Sequence, residues 1–147
     1  MKIYLGYDHA GQALKDMVYE VANEMQVDIE DLGSHGDLQD DYPDFAVDVA
    51  EKVAKDPATK GVLICGAGAG MAIAANKVPG VRAAFANNVE IARLIRAHND
   101  ANILTLGGRM TDGGTAKAII KTFLTTDFEG GRHERRVNKI SALEQKV

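Results

Sequence analysis

The sequence predicts a three-layer α/β fold, a five-stranded parallel sheet in the order 2-1-3-4-5 with helices on both faces. Three observations predict it. Short apolar or β-branched runs alternate with segments whose apolar residues recur at helical spacing, the pattern of strands joined by right-handed helical crossovers. Val62-Leu63-Ile64-Cys65 is apolar throughout, as a parallel strand covered on both faces requires. The glycines, 15 of 147 residues, cluster at turns rather than scatter.

Ile3 to Tyr7 reads as the first strand; it ends at Asp8-His9-Ala10-Gly11, after which Leu14, Met17, Val18, Val21 and Ala22 mark a helix. Val27 to Leu32 is a second strand closed by Gly33-Ser34, and Tyr42-Pro43-Asp44 opens a helix carrying Phe45, Ala46, Val49, Ala50 and Val53 on its apolar side. The third strand runs into Gly66-Ala67-Gly68-Ala69-Gly70 and the Ala-rich segment Met71 to Asn76. Past Pro79-Gly80 come a strand over Arg82 to Ala86, a helix over Val89 to Ala97, a strand over Asn102 to Leu106 and a helix over Ala116 to Leu124. A last helix is expected from about Arg132 to the end, and residues 1–147 are expected to form one domain.

Composition excludes several classes. Seventeen Lys and Arg against 21 Asp and Glu leave a net charge of −4, which disfavours a general binder of nucleic acid or of anionic membranes. Hydrophobic residues at 46% and charged residues at 26% are ordinary for a folded soluble chain. No apolar run is long enough to span a bilayer, the N-terminus lacks the pattern of a secretory signal, and the single cysteine excludes an intrachain disulfide, so a cytoplasmic location is expected.

In sheets of this kind ligands bind beyond the carboxyl ends of the strands where the order reverses, here between strands one and three. The loops Asp8 to Gly11 and Cys65 to Gly70 would flank that point. Gly66, Gly68 and Gly70 fail the dinucleotide fingerprint because Met71 stands where its third glycine belongs, and no GKS or GKT follows. What remains is a loop whose backbone N–H groups can converge on a small anion, or a tight turn that needs small residues. Cys65 reads either as a core residue or as a base or nucleophile, since thiols beside N–H groups at helix starts yield usable thiolates. His98, at the end of a helix, reads either as a cap or as a general acid or base. His9 could contact an anion, and His35 looks merely exposed. The spacing of the four histidines matches no short metal-ligand pattern, so no metal is expected. Arg132 and Arg136 share a helix face after Gly130-Gly131, either as a solvated surface or as a phosphate clamp on an otherwise acidic chain.

Taken together, Gly6-Tyr7-Asp8-His9-Ala10-Gly11, Asp41-Tyr42-Pro43-Asp44, Cys65 to Met71 with Ala74-Ala75-Asn76-Lys77, Arg96 to Asn102 and Gly130-Gly131-Arg132-His133 closely resemble the type B ribose-5-phosphate isomerase family, which also holds the galactose-6-phosphate isomerase subunits. The likeness runs from Met1 to about Ile140 with every motif in order. It implies a Rossmann-like aldose–ketose isomerase needing no cofactor or metal, a homodimer or tetramer whose active sites are shared between subunits, with the C-terminal helix packed on a partner. In that likeness Cys65 matches the base acting through a cis-enediolate, and Gly66, Ala67, Gly68, Ala69 and Gly70 match the anion hole. His98 matches the group that opens the sugar ring. Asp8, Tyr42 and Asn99 match positions that hold the sugar, and His9, Arg132, Arg136 and Arg109 match phosphate contacts. Some members carry glycine at the position of Cys65 and a glutamate base at that of Met71; this chain is of the cysteine type. It departs at Ala67, where the family usually has Thr or Ser. The expected substrate is a sugar phosphate, ribose 5-phosphate before a hexose 6-phosphate. The rival reading is a non-catalytic phospholigand module, which would require neither Cys65 nor His98.

Overall fold

The structure, a computed structural model, describes residues 1–146. Strand β1 (Lys2–Tyr7) leads through a 3₁₀ turn at Gln12–Leu14 into α1 (Lys15–Met25), and β2 (Asp28–Asp31) is followed by α2 (Tyr42–Lys55). Next come β3 (Thr59–Cys65), α3 (Ala69–Ala75), β4 (Ala83–Phe85), α4 (Val89–Ala97), β5 (Ile103–Gly107) and α5 (Gly113–Thr125). Helix α6 (Arg132–Ala142) ends in a 3₁₀ turn at Leu143–Lys146, so the predicted last helix stops at Ala142 as an α-helix; Val147 lies outside the described residues. Local chemistry sets the ends. Asn88 and Asp112 accept the N–H groups of Ile91 and Thr115 at 2.8 and 2.9 Å and so cap α4 and α5. Gly130 and Gly131, at φ +69° and +56°, make the left-handed turn into α6 that a side chain would strain. Among the described residues no helix is long and apolar enough to cross a membrane.

All strand pairs are parallel, and the sheet order is β2-β1-β3-β5-β4. This corrects the predicted 2-1-3-4-5. Right-handed crossovers put a helix on one face when the chain steps one way along the sheet and on the other face when it steps back. Helices α2 and α3 follow rightward steps, and Val49, Val53 and Met71 pack together on one face. Helix α4 lies on the opposite face, where Ala92 and Ile95 join Val18 and Val21 of α1 and Ile119 and Phe123 of α5, so the step from β4 to β5 runs backward. Burial agrees, since β5 is buried at all five positions and takes an inner place, whereas the three-residue β4 exposes Phe85 and forms an edge.

One inner position is imperfect. Thr105, in the middle of β5, is fully buried, and its hydroxyl has no hydrogen-bond partner among the described residues. Its desolvation opposes folding, so Thr105→Val is expected to raise stability by about 1 kcal/mol, read as a higher denaturation midpoint at unchanged m-value. A lower midpoint would mean that the hydroxyl is satisfied.

Candidate functional site

The candidate residues fall into two groups at opposite edges of the sheet. The first gathers where β1 and β3 lie side by side and the chain leaves them in opposite directions, the crevice such sheets use for ligands. Three loops touch there, and glycines permit the contact. A Cβ at Gly11 would stand 2.1 Å from the Ile64 carbonyl oxygen, and one at Gly108 2.5 Å from that of Ala10. Gly108 N–H donates to the Cys65 carbonyl at 2.7 Å, and Arg109 N–H to that of Gly66 at 3.0 Å. The loops after β1, β3 and β5 are thereby one assembly.

Cys65 ends β3 with 5% of its surface exposed, and its sulfur accepts the Gly68 N–H at 3.2 Å. Gly68, at φ +84°, turns the chain so that α3 starts at Ala69, leaving the N–H groups of Ala69 and Gly70 with no carbonyl one turn back. Tyr42 lies directly on Gly70, where a Cβ would be 2.5 Å from its ring, and the exposed Arg109 guanidinium lies over Gly66. Asp8 is buried, and its Oδ1 accepts the Ala10 and Gly11 N–H groups, both at 3.0 Å. The result is a thiol, a carboxylate and unpaired N–H groups around one crevice.

His9 joins this group through Asp40, a residue the sequence reading did not single out. His9 Nδ1 lies 2.7 Å from Asp40 Oδ1, and Ser34 donates its hydroxyl to Oδ2. Burial favours the neutral acid, but the Ser34 and His9 hydrogen bonds outweigh it and hold Asp40 below the usual carboxylate range. The pair's contribution to stability is therefore complete above the ordinary carboxylate pKa and is lost as pH falls through the lower folded value. Asp40's only signal in the sequence is the clustering of Asp37, Asp40 and Asp41 between β2 and α2.

The second group, His98, Asn99, Arg132 and Arg136, lies at the amino edge of the sheet. α4 runs back from the carboxyl edge, so its last turn stands beside the start of β5. The four residue steps from Ile103 to Gly107 alone separate the edges by about 13 Å, and Gly107 is the partner of Cys65. Within one chain His98 cannot reach the Cys65 crevice, nor can Arg132 and Arg136 join His9. The turn that presents His98 and Asn99 is clamped from below. Arg96, 7% exposed, donates to Asp100 Oδ1 at 2.9 Å and to the Ala101 carbonyl at 2.7 Å, while Arg82 donates to Asp100 Oδ2 at 3.1 Å. Asp100 itself sits at φ +47°.

His133 was also not selected from sequence. Its buried ring stacks on His98, centroids 4.0 Å apart and planes 10° apart. Glu129 Oε2 lies 3.7 Å from His98 Nε2 and 3.5 Å from His133 Nε2. Parallel rings aim their Nε2 lone pairs alongside one another instead of toward a common point, which does not suit a shared metal ion. A cavity of about 410 Å³ between α4 and α6 opens here, lined by Ile91, Leu94, His98, His133, Arg136 and Val137. A larger one, about 650 Å³, lies along the same edge beside β4 and Leu143 and is distant from Cys65.

Comparison with known proteins gives a consistent picture. The model of the family described as Ribose/Galactose Isomerase matches residues 3–140. Ribose-5-phosphate isomerase B of Escherichia coli is 41% identical over 145 residues, covering 99% of this chain and 97% of that protein. Among solved structures, ribose-5-phosphate isomerase B of Clostridium thermocellum is 47% identical with a TM-score of 0.94, covering 99% of each chain. That of Mycoplasma genitalium, solved with bound ribulose 5-phosphate, is 42% identical with a TM-score of 0.95, covering 99% of this chain and 97% of that one.

Proposed function

The chain belongs to the ribose/galactose isomerase family, and from that premise we propose that it interconverts ribose 5-phosphate and ribulose 5-phosphate, with Cys65 as the base. The observation that carries this reading is the Cys65 sulfur at the β1–β3 crevice, accepting the Gly68 N–H of the glycine loop. The opposite placement of His98, Arg132 and Arg136 supports an assembly in which a second copy brings its amino edge to this crevice, through α6 and the cavity beside it. Residues 1–147 act as one isomerase domain of a homodimer or a dimer of dimers. A base that is a free thiol suits a reducing compartment, the cytosol.

The chemistry then runs as follows. His98 takes the anomeric O1 proton of the furanose; the C1 carbonyl forms as the bond from C1 to the ring oxygen breaks, and the imidazolium returns the proton to that oxygen. The Cys65 thiolate removes the proton on C2, and the electron pair moves through C1 to O1, giving a cis-enediolate. N–H groups of Gly66 to Gly70 stabilise its charge. The proton on O2 passes to O1, and the thiol returns its proton to C1, which leaves the ketone at C2 and regenerates the thiolate. Asp8, Tyr42 and Asn99 hold the sugar hydroxyls. His9, oriented by Asp40, works with Arg109, Arg132 and Arg136 on the phosphate.

Ala67 cannot carry the proton between O2 and O1, so water or a substrate hydroxyl does so. Ala67→Ser is expected to raise kcat on ribose 5-phosphate several-fold at nearly constant KM, as for a contact stronger in the transition state. A fall in kcat/KM on a hexose 6-phosphate with no gain on the pentose would show that Ala67 makes room for a longer sugar.

Neutralising both Arg132 and Arg136 is expected to raise KM for the sugar phosphate at least tenfold, since charge-assisted hydrogen bonds are worth about 1.5 to 3 kcal/mol each. An unphosphorylated sugar should be little affected. Equal losses on both would assign the arginines to structure. The proposal as a whole is tested by a coupled isomerase assay over pentose 5-phosphates and hexose 6-phosphates. Ribose 5-phosphate should show the highest kcat/KM; a hexose phosphate in first place would transfer the assignment within the family, and no turnover of any sugar phosphate would overturn it.

A further inference from the structure

His98 does not stand alone at the amino edge, and the group beneath it has no part in the mechanism above. Four features meet there. His133 lies flat against the His98 ring at 4.0 Å with planes 10° apart. Its own side chain is 10% exposed, held in the first turn of α6 by the Gly130–Gly131 turn and by its N–H donating to the Gly130 carbonyl at 3.1 Å. Glu129 is within ion-pair reach of Nε2 on both rings, at 3.7 and 3.5 Å. The Glu129 N–H donates to the Ala97 carbonyl at 3.0 Å, which ties this loop to the residue next to His98. Stacking and anchoring together leave His98 one ring plane and one carboxylate.

We propose that His133 and Glu129 are positioning residues for His98: the stacked His133 ring fixes the plane of the His98 ring, and Glu129 anchors its Nε2 edge. This rests on the reading of His98 as the ring-opening group. Burial, then the neighbouring His98 and Arg132, push the His133 imidazole below its ordinary value, with Glu129 opposing them and Arg136 adding to them. The charged groups around the stacked pair are Glu129 from the α5–α6 loop, Arg132 and Arg136 from α6 beside His133, and Glu90 from α4, itself paired with Arg93, beside His98. Glu129 comes to 3.7 Å from the His98 ring nitrogen, and His133 stacks on its ring face at 4.0 Å. A ring-opening group must take a proton from O1 and return it to the ring oxygen with little rotation. A fixed ring plane serves that cycle.

Ribose 5-phosphate closes to a furanose through O4, whereas erythrose 4-phosphate, whose O4 carries the phosphate, cannot. Assays on these two aldoses therefore start from a cyclic and an open substrate. His133→Ala is expected to lower kcat on ribose 5-phosphate on the order of tenfold, a part of the roughly 10² to 10⁴ that a positioned proton-transfer group supplies, and to leave turnover of erythrose 4-phosphate nearly untouched. His133→Phe keeps a flat ring in the stack and should restore most of the loss. Glu129→Gln, at a side chain half exposed, keeps the test open should the buried substitutions impair folding.

The second readout is the titration of the imidazole C–H signals by NMR in the free protein. His133 should titrate at higher pH in His98→Gln than in the wild type. Wild-type cyclic turnover in His133→Ala, or a His133 midpoint unmoved by His98→Gln, would overturn the proposal. A moved midpoint with equal losses on cyclic and open substrates would uphold the positioning of His98 and overturn its ring-opening role instead.

Discussion

Cys65→Ala is expected to lower kcat by roughly 10² to 10⁴ while KM and the fold stay nearly unchanged, since positioned acid–base groups contribute that much. The structural cost is small. Cys65 packs with Leu63 and Met71 on the α2–α3 side of the sheet, and among the described residues its sulfur takes one hydrogen bond, from Gly68 N–H. Removing one sulfur atom costs about 1 kcal/mol, and the loop keeps its other ties, such as Gly108 N–H to the Cys65 carbonyl at 2.7 Å. The purified variant should therefore melt close to wild type, bind ribose 5-phosphate, and fail to exchange the C2 proton with solvent. Isomerisation within a few-fold of wild type would remove Cys65 from the role of base. Iodoacetamide should abolish activity in step with loss of the free thiol, and substrate should slow that loss.

The second large effect comes from mixing two crippled proteins. Cys65→Ala retains His98, Arg132 and Arg136; His98→Gln retains Cys65, Asp8 and His9. If the site is completed across subunits, a mixed dimer holds one site with both wild-type groups and one with neither. Random exchange of equal amounts makes half of the dimers mixed, so activity on ribose 5-phosphate should recover to about a quarter of wild type, from nearly none in Cys65→Ala alone. The measurement is the rate after exchange in mild denaturant and dilution, with mixed dimers verified by mass. Mixed dimers without recovered activity would place Cys65 and His98 in separate functions, because within one chain they stand on opposite edges of the sheet.

Much of this protein was legible without coordinates. The helix over Val89–Ala97 has the bounds expected of it, and the apolar run Val62–Cys65 is an inner strand, because spacing and hydrophobicity are local properties that local structure obeys. Glycine clusters marked the loops after β1 and β3 since only glycine tolerates the approaches found at Gly11 and Gly70. Asp40 and His133 were not legible. Each gains its place from a contact distant in sequence, Asp40 with His9 and His133 with His98, and neither has a local pattern that announces it.

By itself the sequence determined the alternation of strands and helices, the glycine turns, the chemistry available at Cys65, His98 and the arginines, and the family. Two matters were decided only by the tertiary structure. The sheet order places β5 inside β4, because handed crossovers and the burial of five consecutive residues act on whole elements, whereas periodicity reports only on neighbours. The separation of the catalytic candidates is the other: a parallel strand delivers its two ends to opposite edges, so Cys65 at the end of β3 and His98 before the start of β5 face away from each other, however close their strands lie.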